Sequence, residues 1–309
     1  MSIIARTFSK TATNLQLTPL DDPNHYQHHD AEQQIARLEE TISALSGELN
    51  ALRSRDAQVN DMMVRLDEEQ RLAARLQRDF LPKKLPQCGH VHFHTLYRPA
   101  GYVSGDLYDV MRLDESHIGF YVADAVGHGM PAALLTMFMK NALVTKQIHN
   151  GTYTLVDPAI TISKLNNALC EQNLSQATFA TAAYGYVDTH TLQMHFSTGG
   201  HPHPVLVRDG ELIDLTHDGA LLGIFADEKF TTQSLQLQRG DRVLVYTDGI
   251  EVAFSSGEAA DTERWRRELL TRLDQPIATV MDGFANALDE SNGSLLPKDD
   301  LTIIAIEVK

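Results

Sequence analysis

The chain is 309 residues long, 43% apolar and 22% charged, with 41 acidic against 26 basic residues and a net charge of −15. That length supports a large domain plus an appendage, with a core that needs no staples. The acidic balance disfavours nucleic acid and anionic membranes, whose phosphates attract Lys and Arg.

Cys88 and Cys170 form no CxxC pair, and Met1 to Pro23 lack the apolar core of a signal peptide. No apolar run reaches the roughly 18 residues of a membrane span. A soluble protein of the reducing cytoplasm is expected. Residues 1–30 are polar and unpatterned, which predicts a disordered tail; its His25, His28 and His29 are read as solvated rather than as a metal site.

Residues 31–80 read differently. Ile35, Leu38, Ile42, Leu45, Leu49 and Leu52 alternate steps of three and four, a heptad seam that continues through Asp56, Val59, Met63 and Leu66. Gly47 is the only Gly or Pro in this stretch. So narrow a stripe has little to bury in a monomer, so a parallel coiled-coil homodimer is expected. Beyond Leu66 a new stripe appears at Leu72, Leu76 and Phe80. The phase change suggests that stalk packing orients the helix against a following domain, and through it the Asp124 loop.

Leu81-Pro82 ends the helix. Short apolar or alternating runs follow at 91–96, 118–123, 180–187, 192–197, 204–207, 242–246 and 301–308. Helical patterns interrupt them in pairs, at 131–145 with 158–171 and at 261–273 with 276–289. This order predicts an α+β layered sandwich over residues 81–309.

The carboxylates fall at strand ends. Asp106 lies in Ser104-Gly-Asp-Leu-Tyr-Asp109, Asp124 precedes Gly127-His-Gly129, Asp248 precedes Gly249, and Asp299 and Asp300 open the last strand. Each alone is an ordinary turn former; together they converge if two packed sheets end on one edge. Two carboxylates about 5 Å apart repel by roughly 3 kcal/mol at an effective dielectric of 20. Divalent cations reverse that sign, and an all-oxygen donor set suits Mg²⁺ or Mn²⁺. Two such ions activate water for in-line attack on a phosphate ester. No GxSxG, GxxxxGK[ST] or HExxH motif points elsewhere. His201 and His203, in Thr198-Gly-Gly-His-Pro-His-Pro204, are either acid–base groups or turn residues.

These motifs resemble the metal-dependent PPM (type 2C) protein phosphatases, in their bacterial SpoIIE-type branch that regulates sigma factors. The branch reads PA-x-x-x-GGD-x-YD, ADV-x-GKG-x-xAA, AGH-x-P, YTDGI and DD-x-T. Here the order is Arg98-Pro-Ala-Gly-Tyr-Val-Ser-Gly-Asp-Leu-Tyr-Asp109, Ala123-Asp-Ala-Val-Gly-His-Gly-Met-Pro-Ala-Ala133, Thr198 to Pro204, Tyr246-Thr-Asp-Gly-Ile-Glu251 and Asp299-Asp-Leu-Thr302. Ala74-Arg-Leu-Gln-Arg-Asp-Phe-Leu-Pro82 is similar to the branch's A-x-x-IQ-x-x-LLP. Ser104, Ala125 and His128 depart from the pattern, and none removes a carboxylate.

The resemblance implies an αββα sandwich of two antiparallel sheets flanked by helix pairs. It implies two Mn²⁺ or Mg²⁺ ions held by Asp106 and Asp124 with the Ala125 carbonyl, completed by Asp248 and Asp299. Asp109 and Asp300 would be outer partners, with Asp300 the alternative ligand if the last motif is shifted by one. It further implies hydrolysis of phosphoserine or phosphothreonine, with a STAS-domain anti-sigma-factor antagonist in a partner-switching pathway as the substrate. The rival readings are a non-catalytic dimeric scaffold that binds a regulatory partner and a two-metal nucleotide phosphodiesterase. The intact Asp set argues against the first, and the charge argues against the second.

Overall fold

The structure, a computed structural model, describes residues 28–149, 151–174, 178–254, 263–291 and 298–309. The tail over residues 1–27, and with it the His25 reading, lies outside them, as do the side chains of His28 and His29. In chain order the elements are α1 (His28–Phe80), β1 (Val91–Arg98), β2 (Asp106–Arg112), β3 (His117–Ala125), α2 (Met130–Ala142), β4 (Lys146–His149), β5 (Thr152–Leu155) and α3 (Pro158–Glu171). They continue with β6 (Ala180–Asp188), β7 (Gln193–Gly199), β8 (Val205–Arg208), β9 (Glu211–Asp214), β10 (Gln233–Gln236), β11 (Arg242–Tyr246), α4 (Gly249–Phe254), α5 (Arg264–Leu270), α6 (Ile277–Ser291) and β12 (Leu301–Val308).

Contacts divide the chain into two units, meeting between Leu66 and Asp67. In the first, the seam residues Ile35 to Leu52 are about half exposed along the helix. No helix of the described residues is long and apolar enough to cross a membrane.

In the second unit the strands form two five-stranded antiparallel sheets. The first runs β1-β12-β11-β8-β9 and the second β10-β7-β6-β3-β2; β4 and β5 make a separate hairpin. β12 is buried at all eight positions, as a strand covered on both faces must be, and it is apolar at all of them but Thr302 and Glu307. Phe93, Val245, Ile304 and Ile306 of the first sheet meet Phe120, Val122 and Phe196 of the second to make the central layer. Trp265, Ile277 and Phe284 cover the outer face of the first sheet. Met139, Ile162 and Leu165 cover that of the second. The αββα sandwich is thus the observed architecture.

Helix boundaries follow local chemistry. Asp157 caps α3 by accepting from Ala159 N–H at 2.9 Å, with Pro158 in the first turn where its missing N–H costs nothing. Pro131 plays the same part in α2, which begins after Gly129 at φ +74. The sequence pattern does not reveal α4 or the β4–β5 hairpin, both too short to establish a period.

Gly249 shows how closely the site is packed. A Cβ there would land on the Asp300 carbonyl oxygen, a backbone atom that cannot swing aside. Gly249→Ala should therefore cost at least about 3 kcal/mol in urea unfolding, the upper end of ordinary overpacking; an unchanged midpoint would contradict this packing.

Candidate metal and phosphoryl site

The strand register brings the carboxylates together. Asp106 and Asp124 are directly opposite on β2 and β3 of the second sheet. Asp248 follows the end of β11 and Asp299 precedes β12, neighbours in the first sheet. Asp106 is 1% exposed and reaches across the sandwich. Its Oδ2 accepts from the hydroxyls of Thr247 and Thr302, each at 2.7 Å. These threonines also bond each other, Thr302 N–H donating to Thr247 Oγ1 at 2.9 Å and Thr247 N–H to the Thr302 carbonyl at 3.0 Å.

Asp300 has both of its oxygens engaged by backbone amides. Its two oxygens accept from Ala100 N–H and Gly105 N–H, both at 2.6 Å, so it anchors the loop leading into Asp106. Asp299 lies at the exposed mouth and accepts from Asp300 N–H at 2.9 Å. Ala125 donates its N–H to the Gly105 carbonyl at 3.1 Å, which aligns the Asp124 turn with the Asp106 loop. Asp109 stands apart, paired with Lys140 of α2 at 2.9 Å. His128 is exposed in its glycine turn.

The electrostatics follow from this crowding. Burial, and then the neighbouring Asp124, push the Asp106 carboxyl well above the usual carboxylate range, against the opposing pull of the two threonines. Burial raises Asp124 to about 7, helped by Asp248, Asp299 and Asp300 and offset in part by a hydrogen bond with Asp106. Asp299 moves upward chiefly by burial as well. A group of carboxyls that resists ionising together suits a multivalent cation. The donors are all oxygen, and no cysteine stands among them, which fits Mn²⁺ or Mg²⁺ by chemistry. Among the described residues no three acidic or histidine side chains close on one point as ligands. The fit therefore rests on donor type and field rather than on finished coordination geometry.

Beside Asp124 and Asp248 opens a cavity of about 460 Å³, also lined by Thr181, His201, Tyr246 and Arg266. Arg266 is its cation. Asp214 holds the guanidinium through two hydrogen bonds of 2.6 and 3.1 Å, and it stacks 5.1 Å over Trp265. His201 is 4% exposed, and burial pushes its imidazole down to about 3, so it is neutral and unsuited to proton transfer at neutral pH. His203 uses Nδ1 to accept from His217 N–H at 3.1 Å. The threonines and Arg266 escape sequence reasoning: Thr247 and Thr302 sit inside the motifs, but only the fold shows them converging on Asp106.

The end of α1 reaches the same loop. Gln77, 3% exposed, donates to the Ser104 carbonyl at 2.7 Å and accepts from Ser104 N–H at 2.9 Å. Tyr102 donates its hydroxyl to Asp67, and Lys140 donates to the Phe80 carbonyl. These contacts fall on the Asp106 loop and on α2, whose Ala133 also packs with Ala74 of α1 and which directly follows the Asp124 loop.

The Stage II sporulation protein E (SpoIIE) family matches residues 114–309. The phosphoserine phosphatase RsbP of Bacillus subtilis is 28% identical over 245 residues, 78% of this chain and 58% of RsbP. The phosphoserine phosphatase RsbU of the same organism is 28% identical over 250 residues, 79% of this chain and 71% of RsbU. Among solved structures, the SiaA-PP2C domain of Pseudomonas aeruginosa superposes with a TM-score of 0.68 at 24% identity, covering 80% of this chain and 98% of that domain. The chain thus spans a little over half the length of RsbP.

The raised carboxyl of Asp124 has a consequence for stability. An unfolded aspartate titrates near about 3.9, so between about pH 4 and 7 the folded, chelator-treated protein binds more protons than the unfolded chain and loses stability as pH rises. Its melting temperature should fall from about pH 5 to about pH 8. Asp124→Asn should flatten that fall and raise the melting temperature at the upper end; an unchanged slope would contradict the crowding.

Proposed function

The chain belongs to the SpoIIE family and has the PP2C fold, and from that premise we propose that it is a Mn²⁺- or Mg²⁺-dependent serine/threonine protein phosphatase. The observation that carries this reading is Asp124, opposite Asp106 on one sheet and crowded electrostatically by Asp248 and Asp299 from the ends of two strands of the other. A non-catalytic scaffold would have no use for carboxyls that repel at a cost to folding.

In this reading Asp106 and Asp124, with the Ala125 carbonyl, would hold the ions, and Asp248 and Asp299 would complete the set. Asp300 is an anchor of the Asp106 loop, since backbone amides occupy both its oxygens. When bound, the ions supply positive charge for the phosphoryl transition state and acidify the attacking water. The chain's own residues do the positioning. Thr247 and Thr302 fix one oxygen of Asp106, leaving the other for ligation. Arg266, pre-set by Asp214, offers guanidinium donors to a phosphate in the cavity.

The substrate we assign is a phosphoserine or phosphothreonine on a STAS-domain anti-sigma-factor antagonist, the partner expected of this branch. Residues 31–80 serve as a coiled-coil homodimerisation and signalling helix. Its input passes through the Gln77–Ser104 contact.

Hydrolysis of p-nitrophenyl phosphate should require Mn²⁺ or Mg²⁺, cease in EDTA, and fall by roughly 100-fold or more in Asp248→Asn. Metal-independent turnover, or a mutant as active as wild type, would contradict the reading. Removal of residues 1–66 should convert a dimer to a monomer in sedimentation and change turnover or its metal dependence; an unchanged rate and metal affinity would rule out coupling.

A further inference from the structure

Among the described residues several buried polar atoms lack a hydrogen-bond partner, and His201 is the one of these that lines the cavity beside Asp124 and Asp248. Its ring lies 4% exposed between the ends of the two sheets, in the wall of the cavity that contains Asp124 and Asp248. Nδ1 is hydrogen-bonded with Thr181 Oγ1 at 2.8 Å. The imidazole also faces the Tyr246 backbone, yet Nε2 completes no hydrogen bond. A buried polar atom left without a partner calls for a reason, because desolvation is then uncompensated.

The register shows what the bonded side of the ring, Nδ1, is connected to. Thr181 on β6 is directly opposite Asp124 on β3, so the two side chains share a face as cross-strand neighbours about 5 Å apart. Tyr246 ends β11 two positions before Asp248. His201 therefore touches the strand beside one proposed ligand and faces the strand that delivers another. The preceding residue, Gly200, is held by its bridge to Ala182 and by its N–H donating to the Gly219 carbonyl at 3.1 Å.

We propose that His201 is a positioning residue for the divalent cation, acting through Thr181 on Asp124 and fixing the gap between Asp124 and Asp248. The inference rests on the metal-site reading above. It differs from a general base, since His201 neither reaches the reacting atoms nor carries a proton to them. Groups that orient metal ligands from behind alter metal affinity when removed, even where the ligands remain.

The test is calorimetric titration of Mn²⁺ into the full chain, with the melting temperature in chelator as the control for folding. Thr181→Val keeps the shape and removes the hydroxyl; it should weaken Mn²⁺ binding by roughly 10- to 100-fold, while the chelator melting temperature falls only by the loss of one buried hydrogen bond and the protein stays folded. Thr181→Ser, which restores the hydroxyl, should bind within about threefold of wild type. His201→Asn, whose amide reaches the Nδ1 position, should bind more tightly than His201→Gln. Thr181→Val and His201→Gln both binding Mn²⁺ as tightly as wild type would overturn the proposal. A wild type that binds no Mn²⁺ would overturn the metal site itself, and the proposal with it. If His201→Gln does not fold, Thr181→Val decides.

Discussion

Two threonine hydroxyls of one sheet close on a single carboxylate oxygen of the other. Oδ2 of Asp106 takes both Thr247 and Thr302, and hydrogen bonds to a charged group contribute about 1.5 to 3 kcal/mol each. The same carboxyl is disfavoured as an anion by burial and by Asp124. The threonines thus hold in place a charge that its surroundings resist. Everything else in the site is arranged around that oxygen: Asp124 across the β2–β3 ladder, Asp248 one residue after Thr247, Asp299 three before Thr302.

The loop that carries Asp106 is restrained from two further directions. Asp300 takes the amides of Ala100 and Gly105. Gln77, at the end of the long helix, takes both backbone groups of Ser104. Asp106 N–H in turn donates to Ser104 Oγ at 3.0 Å. A displacement of the helix end has only one residue to cross before it reaches a proposed metal ligand. Local geometry therefore links the helical segment to the chemistry, through fixed hydrogen bonds rather than through a diffuse interface.

Much of this was legible in the sequence, for physical reasons that vary by element. β12 shows itself because a strand covered on both faces is mostly apolar, as Leu301–Val308 is apart from Thr302 and Glu307. The heptad of α1 shows itself because period 3.5 repeats over many turns. The strand-end aspartates show themselves because glycine lies beside them, Gly105 before Asp106, Gly127 and Gly129 in the turn after Asp124, and Gly249 after Asp248. What stayed hidden depends on the third dimension. Nothing in the string tells that Asp300 bonds two amides while its neighbour Asp299 faces the mouth. Asp109 looks like a member of the cluster, yet the alternation of β2 places it where Lys140 waits. His201 reads as a possible proton carrier until its burial is known. Arg266 follows no motif, and only the meeting of α5 with β9 presents it to the cavity.

The central claim is that opposed carboxylates are held together for a divalent cation, and the melting temperature as a function of Mn²⁺ concentration tests it most directly. A ligand that binds only the folded state stabilises it by RT ln(1 + [L]/Kd), so at 100 times Kd the gain is about 2.7 kcal/mol. The account predicts a melting temperature that climbs logarithmically with Mn²⁺ in the wild type and stays flat in Asp106→Asn. A wild-type melting temperature indifferent to Mn²⁺ would contradict it.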